Sequence, residues 1–249
     1  MFVAVSTRCF PDQPFPVALE KLADLEYTAS EIVVGNKTSD MKPEWIVQDF
    51  PSAVRLCLCR RQIMPVAFFF DVDTDDPDYF EKFRDCCRLA KAIKVITVTI
   101  RCAPFGVPYN EEYARLQKLT QIGTNEGIVI GVLTEKGRIT DTPESVCSLC
   151  KNIPGLSVTL DPSHFIYDRE KPLDYDSVIE YVCHVRLRDT TAQKFQVQIG
   201  QGILEYNRLI TQLLKARYRR ALCVDLAPFP GLDQESELRK MRLLLESIL

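Results

Sequence analysis

The strongest constraint on this chain is alternation: short apolar runs of strand length are followed, with hardly a break, by amphipathic stretches of helix length. MFVAVST, ASEIVVG, PVAFFFDV, KVITVTI, GIVIGVL, LSVTLD, HVRLRD and ALCVDL read as strands. Between and after them, FPVALEKLADLE, PEWIVQDFPSAVRLCLCRRQ, DDPDYFEKFRDCCRLAKAI, NEEYARLQKLTQIG, PESVCSLCKNI, LDYDSVIEYV, LEYNRLITQLLKARY and QESELRKMRLLLESI read as helices. Pro14 and Pro16 sit before or within a first turn, where proline is tolerated, whereas Pro51 must interrupt or restart the second helical stretch. Eight such units in 249 residues match a closed barrel, while an open doubly wound sheet more often has about five to seven strands. STRCFPDQPF, after the first strand, holds no glycine and so no phosphate-binding loop. The expectation is α/β, a single (β/α)8 barrel over residues 1–249 without a linker or second domain.

Composition narrows the functional classes. At 46% hydrophobic and 26% charged, the chain has the material for one large core. No apolar run nears the roughly 20 residues that span a bilayer, and MFVAVSTRCF lacks the pattern of a secretory signal, which points to the cytoplasm. A net charge of −3 gives no electrostatic reason to expect nucleic acid or a membrane as partner, and leaves small-molecule ligands and homo-oligomers open. The ten cysteines, among them the pairs Cys57 and Cys59, Cys86 and Cys87, and Cys147 and Cys150, read as reduced, mostly buried thiols.

Strand ends carry the chemistry, because the C-terminal mouth is where a barrel presents functional groups. Three consecutive runs end in Asp161 with His164, in Arg186 with Arg188, and in Asp225. Period-two alternation puts His184, Arg186 and Arg188 on one face of the seventh strand. Glu31 closes the second strand, Arg101 the fourth, and Glu135 follows the fifth. Gly200 and Gly202 precede a helix start, an arrangement that can cradle a phosphate. Asp71 and Asp73 open an acidic loop and are assigned to helix capping, and Trp45 to core or interface. The basic run Lys215, Arg217, Arg219 and Arg220 reads as a solvated helix end at the bottom of the barrel.

The opening CFPDQPFPVALEKLADLEYTASEIVVG, with DPSHF, HVRLRD, IGQGILEY and ALCVDL in that order, resembles the sugar phosphate isomerase/epimerase family, the xylose isomerase-like barrels. The resemblance covers nearly the whole chain. It implies a divalent metal held by a Glu, an Asp, a His and a second Glu from strands five to eight, with the glutamates moving a proton between neighbouring carbons of a sugar. Asp161 falls on the aspartate ligand and His164 on a substrate-contacting histidine. Leu133 stands at the first glutamate, Arg186 at the ligand histidine and Asp225 at the last glutamate.

A guanidinium has no lone pair to donate, so the family's metal is expected to be absent here, with Asp161 and Asp225 as its ligands only if one is bound. Arg186 in the vacated position is expected to pair with Asp161 and Asp225. The expected ligand is a small sugar, polyol or sugar phosphate, with Asp161, Asp225 and His164 as catalytic candidates. Arg186, Arg188, Glu135, Arg101, Glu31, Gly200 and Gly202 are the substrate-binding candidates. Both an isomerase or epimerase and a non-catalytic binding or regulatory descendant remain open. The family's apurinic endonuclease branch needs a histidine-rich zinc cluster, and the chain has two histidines.

Overall fold

In a computed structural model, which describes residues 1–58 and 63–249, eight parallel strands close into a barrel in sequence order. They are β1 (Phe2–Ser6), β2 (Ala29–Gly35), β3 (Met64–Asp71), β4 (Thr97–Ile100), β5 (Val129–Leu133), β6 (Leu156–Leu160), β7 (Val182–Leu187) and β8 (Ala221–Val224). The helices on the outside are α1 (Phe15–Asp24), α2 (Pro43–Gln48), α3 (Phe50–Cys57), α4 (Tyr79–Ala92), α5 (Tyr109–Glu126), α6 (Pro143–Asn152), the short α7 (Ser163–Ile166), α8 (Tyr206–Lys215) and α9 (Gln234–Ser247). Cys59 and the end of the helical stretch expected up to Gln62 lie outside the described residues. No helix is long and apolar enough to cross a membrane among the described residues.

Local chemistry explains where these elements start. The break expected at Pro51 falls at Asp49, whose carboxylate accepts from the Ser52 amide at 3.0 Å and caps α3. Thr142 and Ser145 cap α6 reciprocally, and Asp233 caps α9 through the Ser236 amide at 3.1 Å. The helix expected over LDYDSVIEYV forms only a 3-10 turn, Asp176–Tyr181, between β6 and β7. Cys9, Cys86, Cys87, Cys102, Cys147, Cys150, Cys183 and Cys223 are free and buried, as expected of reduced thiols, and Cys57 is buried.

Phe68, Phe69 and Phe70 illustrate how the strands divide the core. Phe68 and Phe70 face outward into the layer beneath the helices, where Phe70 meets Tyr79 and Phe83 edge-on at 5.4 and 5.2 Å. Phe69 belongs instead to a separate cluster with Val33 and Leu133 inside the barrel. Deeper down, Ala4, Ala29, Ala221 and Cys223 pack as a layer of small side chains. Register shifts at Ser30/Glu31 and at Val158/Thr159 mark bulges that re-aim the strands carrying Glu31 and His184.

Gly131 in β5 is required by this packing. A Cβ there would lie 2.6 Å from Thr159 Oγ1 and 2.7 Å from Cys183 Sγ, closer than atoms tolerate. We expect Gly131→Ala to destabilise the barrel by about 1–3 kcal/mol, read as a lower urea midpoint with an unchanged m value.

Candidate functional site

The C-terminal ends of the strands surround a cavity of about 360 Å³ whose lining includes Asp161, His164, Arg186, Arg188 and Asp225. Leu133 and Phe69 form its apolar floor. Arg101 and Glu135 also line it, so most of the candidate residues converge on one mouth.

Arg186 organises the centre. Its Nη2 lies 3.0 Å from Glu31 Oε1 and 3.1 Å from Asp225 Oδ2, and its guanidinium stacks 4.6 Å from the Phe69 ring centroid. Glu31 is fully buried and its other oxygen meets His184 Nε2 at 3.0 Å. Arg188 reaches Asp161 Oδ2 at 2.9 Å and also bonds Asp225. The result is an unbroken series of alternating groups: His184, Glu31, Arg186, Asp225, Arg188, Asp161. The expected pairing of Arg186 with Asp161 is therefore corrected: Glu31 takes that place, and Arg188 serves Asp161.

Two further corrections concern substrate-binding candidates. Glu31 does not line the cavity, being sealed beneath Arg186 as its counterion. Gly200 and Gly202 donate their amides to Asp189 Oδ2 at 2.7 and 3.0 Å, so the expected phosphate cradle already holds a carboxylate of this chain. A Cβ on Gly202 would fall 1.8 Å from Asp189 Oδ1, which shows how tightly that loop is closed.

A second group of charges extends the network around the rim. Arg8, just after β1, grips Asp40 with two bonds of 3.0 and 2.7 Å and also pairs with Asp71. Arg101 bridges Asp71 at 2.8 Å and Glu135 at 2.6 Å, and Arg138 joins Glu135 at 2.9 Å. Asp71 is thus an ion-pair centre and not the helix cap expected of it. In the sequence Arg8 stands two residues after Ser6 and four after Ala4, the spacing of an inward strand face, although Thr7–Cys9 form a 3-10 turn. Asp40 comes from the loop after β2 and carries no such signal.

Charge states follow from this geometry. Burial opposes ionisation of Asp225, but Arg186 and Arg188 outweigh it and hold its carboxyl at about 2. Burial likewise opposes the Glu31 carboxylate, and Arg186 and His184 bring its pKa below the ordinary value. Burial lowers the His164 pKa below 6.5. His164 Nδ1 accepts from the Lys136 amide at 3.2 Å, so the neutral ring carries its proton on Nε2, 3.9 Å from Asp161 Oδ2. Its ring packs 4.6 Å from that of Phe195.

The chain belongs to the xylose isomerase-like TIM barrel family, whose model matches residues 19–245. Solved structures of similar fold include a xylose isomerase domain protein from Planctomyces limnophilus, 16% identical, with TM-score 0.77 over 100% of this chain and 96% of that one. A D-tagatose 3-epimerase-like protein is 18% identical, with TM-score 0.75 over 100% and 98%. The IOLI protein with a bound zinc atom is 16% identical, with TM-score 0.75 over the same shares. No curated protein sequence matches the chain.

A divalent metal of the kind this family implies does not fit the residues present. The carboxylate oxygens that would ligate it carry guanidinium nitrogens at 2.9–3.1 Å, and Leu133 offers no donor. Among the described residues, Glu31, His184 and Cys223 bring ligand atoms within 4.8 Å of one another. Both Glu31 oxygens are already engaged there, and burial raises the Cys223 thiol well above its ordinary value, so this group does not fit a metal either.

Because the folded-state pKa of Asp225 lies below its ordinary 3.8, its contribution to stability is full above about pH 4 and is lost as pH falls toward 2. We expect acid unfolding over this window to remove about 2 kcal/mol more from the wild type than from Asp225→Asn, measured by urea titrations at stepped pH.

Proposed function

We propose that the barrel mouth binds a small hydroxylated ligand, a sugar, polyol or sugar phosphate, without a metal ion. The observation carrying this reading is Arg186 Nη2 between Glu31 and Asp225, a fixed cation where relatives would use a dissociable one. The cavity is of the size that takes a small ligand. Five cationic side chains, Arg8, Lys37, Arg101, Arg186 and Arg188, line it with three carboxylates, Glu135, Asp161 and Asp225, which favours a ligand bearing a phosphate or carboxylate. The neutral His164 presents Nε2–H as a donor to a hydroxyl or carbonyl oxygen. Phe69 and Phe195 supply apolar surface for the carbon face of such a ligand.

The state of the carboxylates favours the non-catalytic form of this reading. Moving a proton between carbons requires a base whose pKa lies near the working pH. Asp225 is held at about 2 by two guanidiniums, Asp161 is paired with Arg188, and Glu135 with Arg101 and Arg138. Binding, with the family's isomerase chemistry given up, is the function these groups support best.

Calorimetry against a panel of sugar phosphates and free polyols, with and without chelator, tests this. We expect saturable binding that chelator and manganese leave unchanged, and a loss of about tenfold or more in Arg188→Gln. One manganese or zinc per chain in the purified protein, lost in Asp161→Ala and required for sugar isomerisation, would overturn the proposal. Leu133→Glu combined with Arg186→His should conversely create metal uptake detectable by elemental analysis.

A further inference from the structure

The opposite, N-terminal end of the barrel holds a second cavity, of about 260 Å³, with a different character. Phe2, Met64 and Ile96 form one wall and remain 42%, 65% and 49% exposed. Lys94, Arg219 and Arg220 bring three cations to the same cavity, and no Asp or Glu lines it. The basic run that the sequence assigned to a solvated helix end therefore lies partly in a pocket.

Arg220 is the telling residue. It is half-buried, and its Nη1 donates to Thr97 Oγ1 at 2.9 Å and to the Cys183 carbonyl at 3.3 Å, which fixes the guanidinium at the cavity wall. Arg219 donates to the Tyr218 carbonyl at 3.3 Å. Among the described residues none of the three cations has a carboxylate at ion-pair distance, whereas the arginines of the mouth are all paired. Arg220 is partly desolvated without a counterion, Lys94 and Arg219 stand exposed at the rim, and three large apolar side chains beside them remain open to solvent. One kind of ligand satisfies both, an anion with an apolar body.

We propose that this cavity is a binding site for a small amphipathic anion, with a phosphate or carboxylate head on Lys94, Arg219 and Arg220 and a short apolar body against Phe2, Met64 and Ile96. The site is independent of the mouth and of the function proposed for it. Of the two histidines of the chain, His164 lines the mouth, and His184 lines this cavity while its Nε2 meets Glu31.

Imidazole NMR during titration with phenyl phosphate tests the proposal. The His184 resonances should shift along a saturable curve, and Arg220→Gln should weaken that curve about tenfold, as expected for loss of a charge-assisted bond. The His164 resonances, which report on the mouth, should follow a curve that Arg220→Gln leaves unchanged. Inorganic phosphate should bind more weakly than phenyl phosphate, and Met64→Ala should reduce the difference. Should Arg220→Gln fail to fold, the exposed pair Lys94→Gln and Arg219→Gln gives the same reading. An unmoved His184, a curve indifferent to all three cations, or equal binding of phosphate and phenyl phosphate would overturn the proposal.

Discussion

The guanidinium of Arg186 is the interaction on which the upper interior of this barrel depends. It neutralises Glu31 and Asp225 at 3.0 and 3.1 Å inside a space closed by Phe69. Burial lowers the ease of charging Arg186, yet Asp225 and Glu31 more than compensate and raise its pKa, so it remains a permanent cation. Without it, two buried carboxylates would face each other, Asp225 with Arg188 and Glu31 with His184 as their remaining partners. A buried pair of this kind adds little net stability compared with apolar packing, but breaking it by removing one partner is strongly destabilising. The network fixes a geometry, and fixed charges are what a preformed binding site requires.

Three guanidiniums, from Arg186, Arg101 and Arg8, surround the Phe69 ring at 4.6, 5.3 and 5.6 Å. The floor of the mouth is thus an aromatic plug ringed by cations, each tied in turn to a carboxylate on a neighbouring strand or loop. The fold is that of the xylose isomerase-like TIM barrels, but the chemistry of the mouth is set by these particular side chains, since fold and site vary separately. At the opposite end of the barrel, Lys94, Arg219 and Arg220 have no carboxylate at ion-pair distance among the described residues.

Much of this was legible in the sequence for a physical reason: strand-length apolar runs ending in charge can be stable only as buried barrel strands with a polar mouth. Asp161, Arg186, Arg188 and Asp225 could be placed together because alternation fixes which face each occupies. The partner of each charge was less accessible. Glu31 reaches Arg186 from across the barrel, and the loop residue Asp40 reaches Arg8, so both pairings depend on three-dimensional closure. Gly200 and Gly202 looked like a phosphate cradle because the carboxylate that fills it, Asp189, lies on the preceding strand's exit and its direction is set by the loop.

A double-mutant cycle between Arg186→Leu and Glu31→Gln tests the central claim most directly. If Arg186 is the counterion of a buried Glu31, Arg186→Leu alone should cost about 3–5 kcal/mol, and adding Glu31→Gln should recover part of that loss. The predicted coupling is about 2 kcal/mol or more by urea denaturation. Additive effects within about 0.5 kcal/mol would mean that the two side chains do not depend on each other, and would contradict the account.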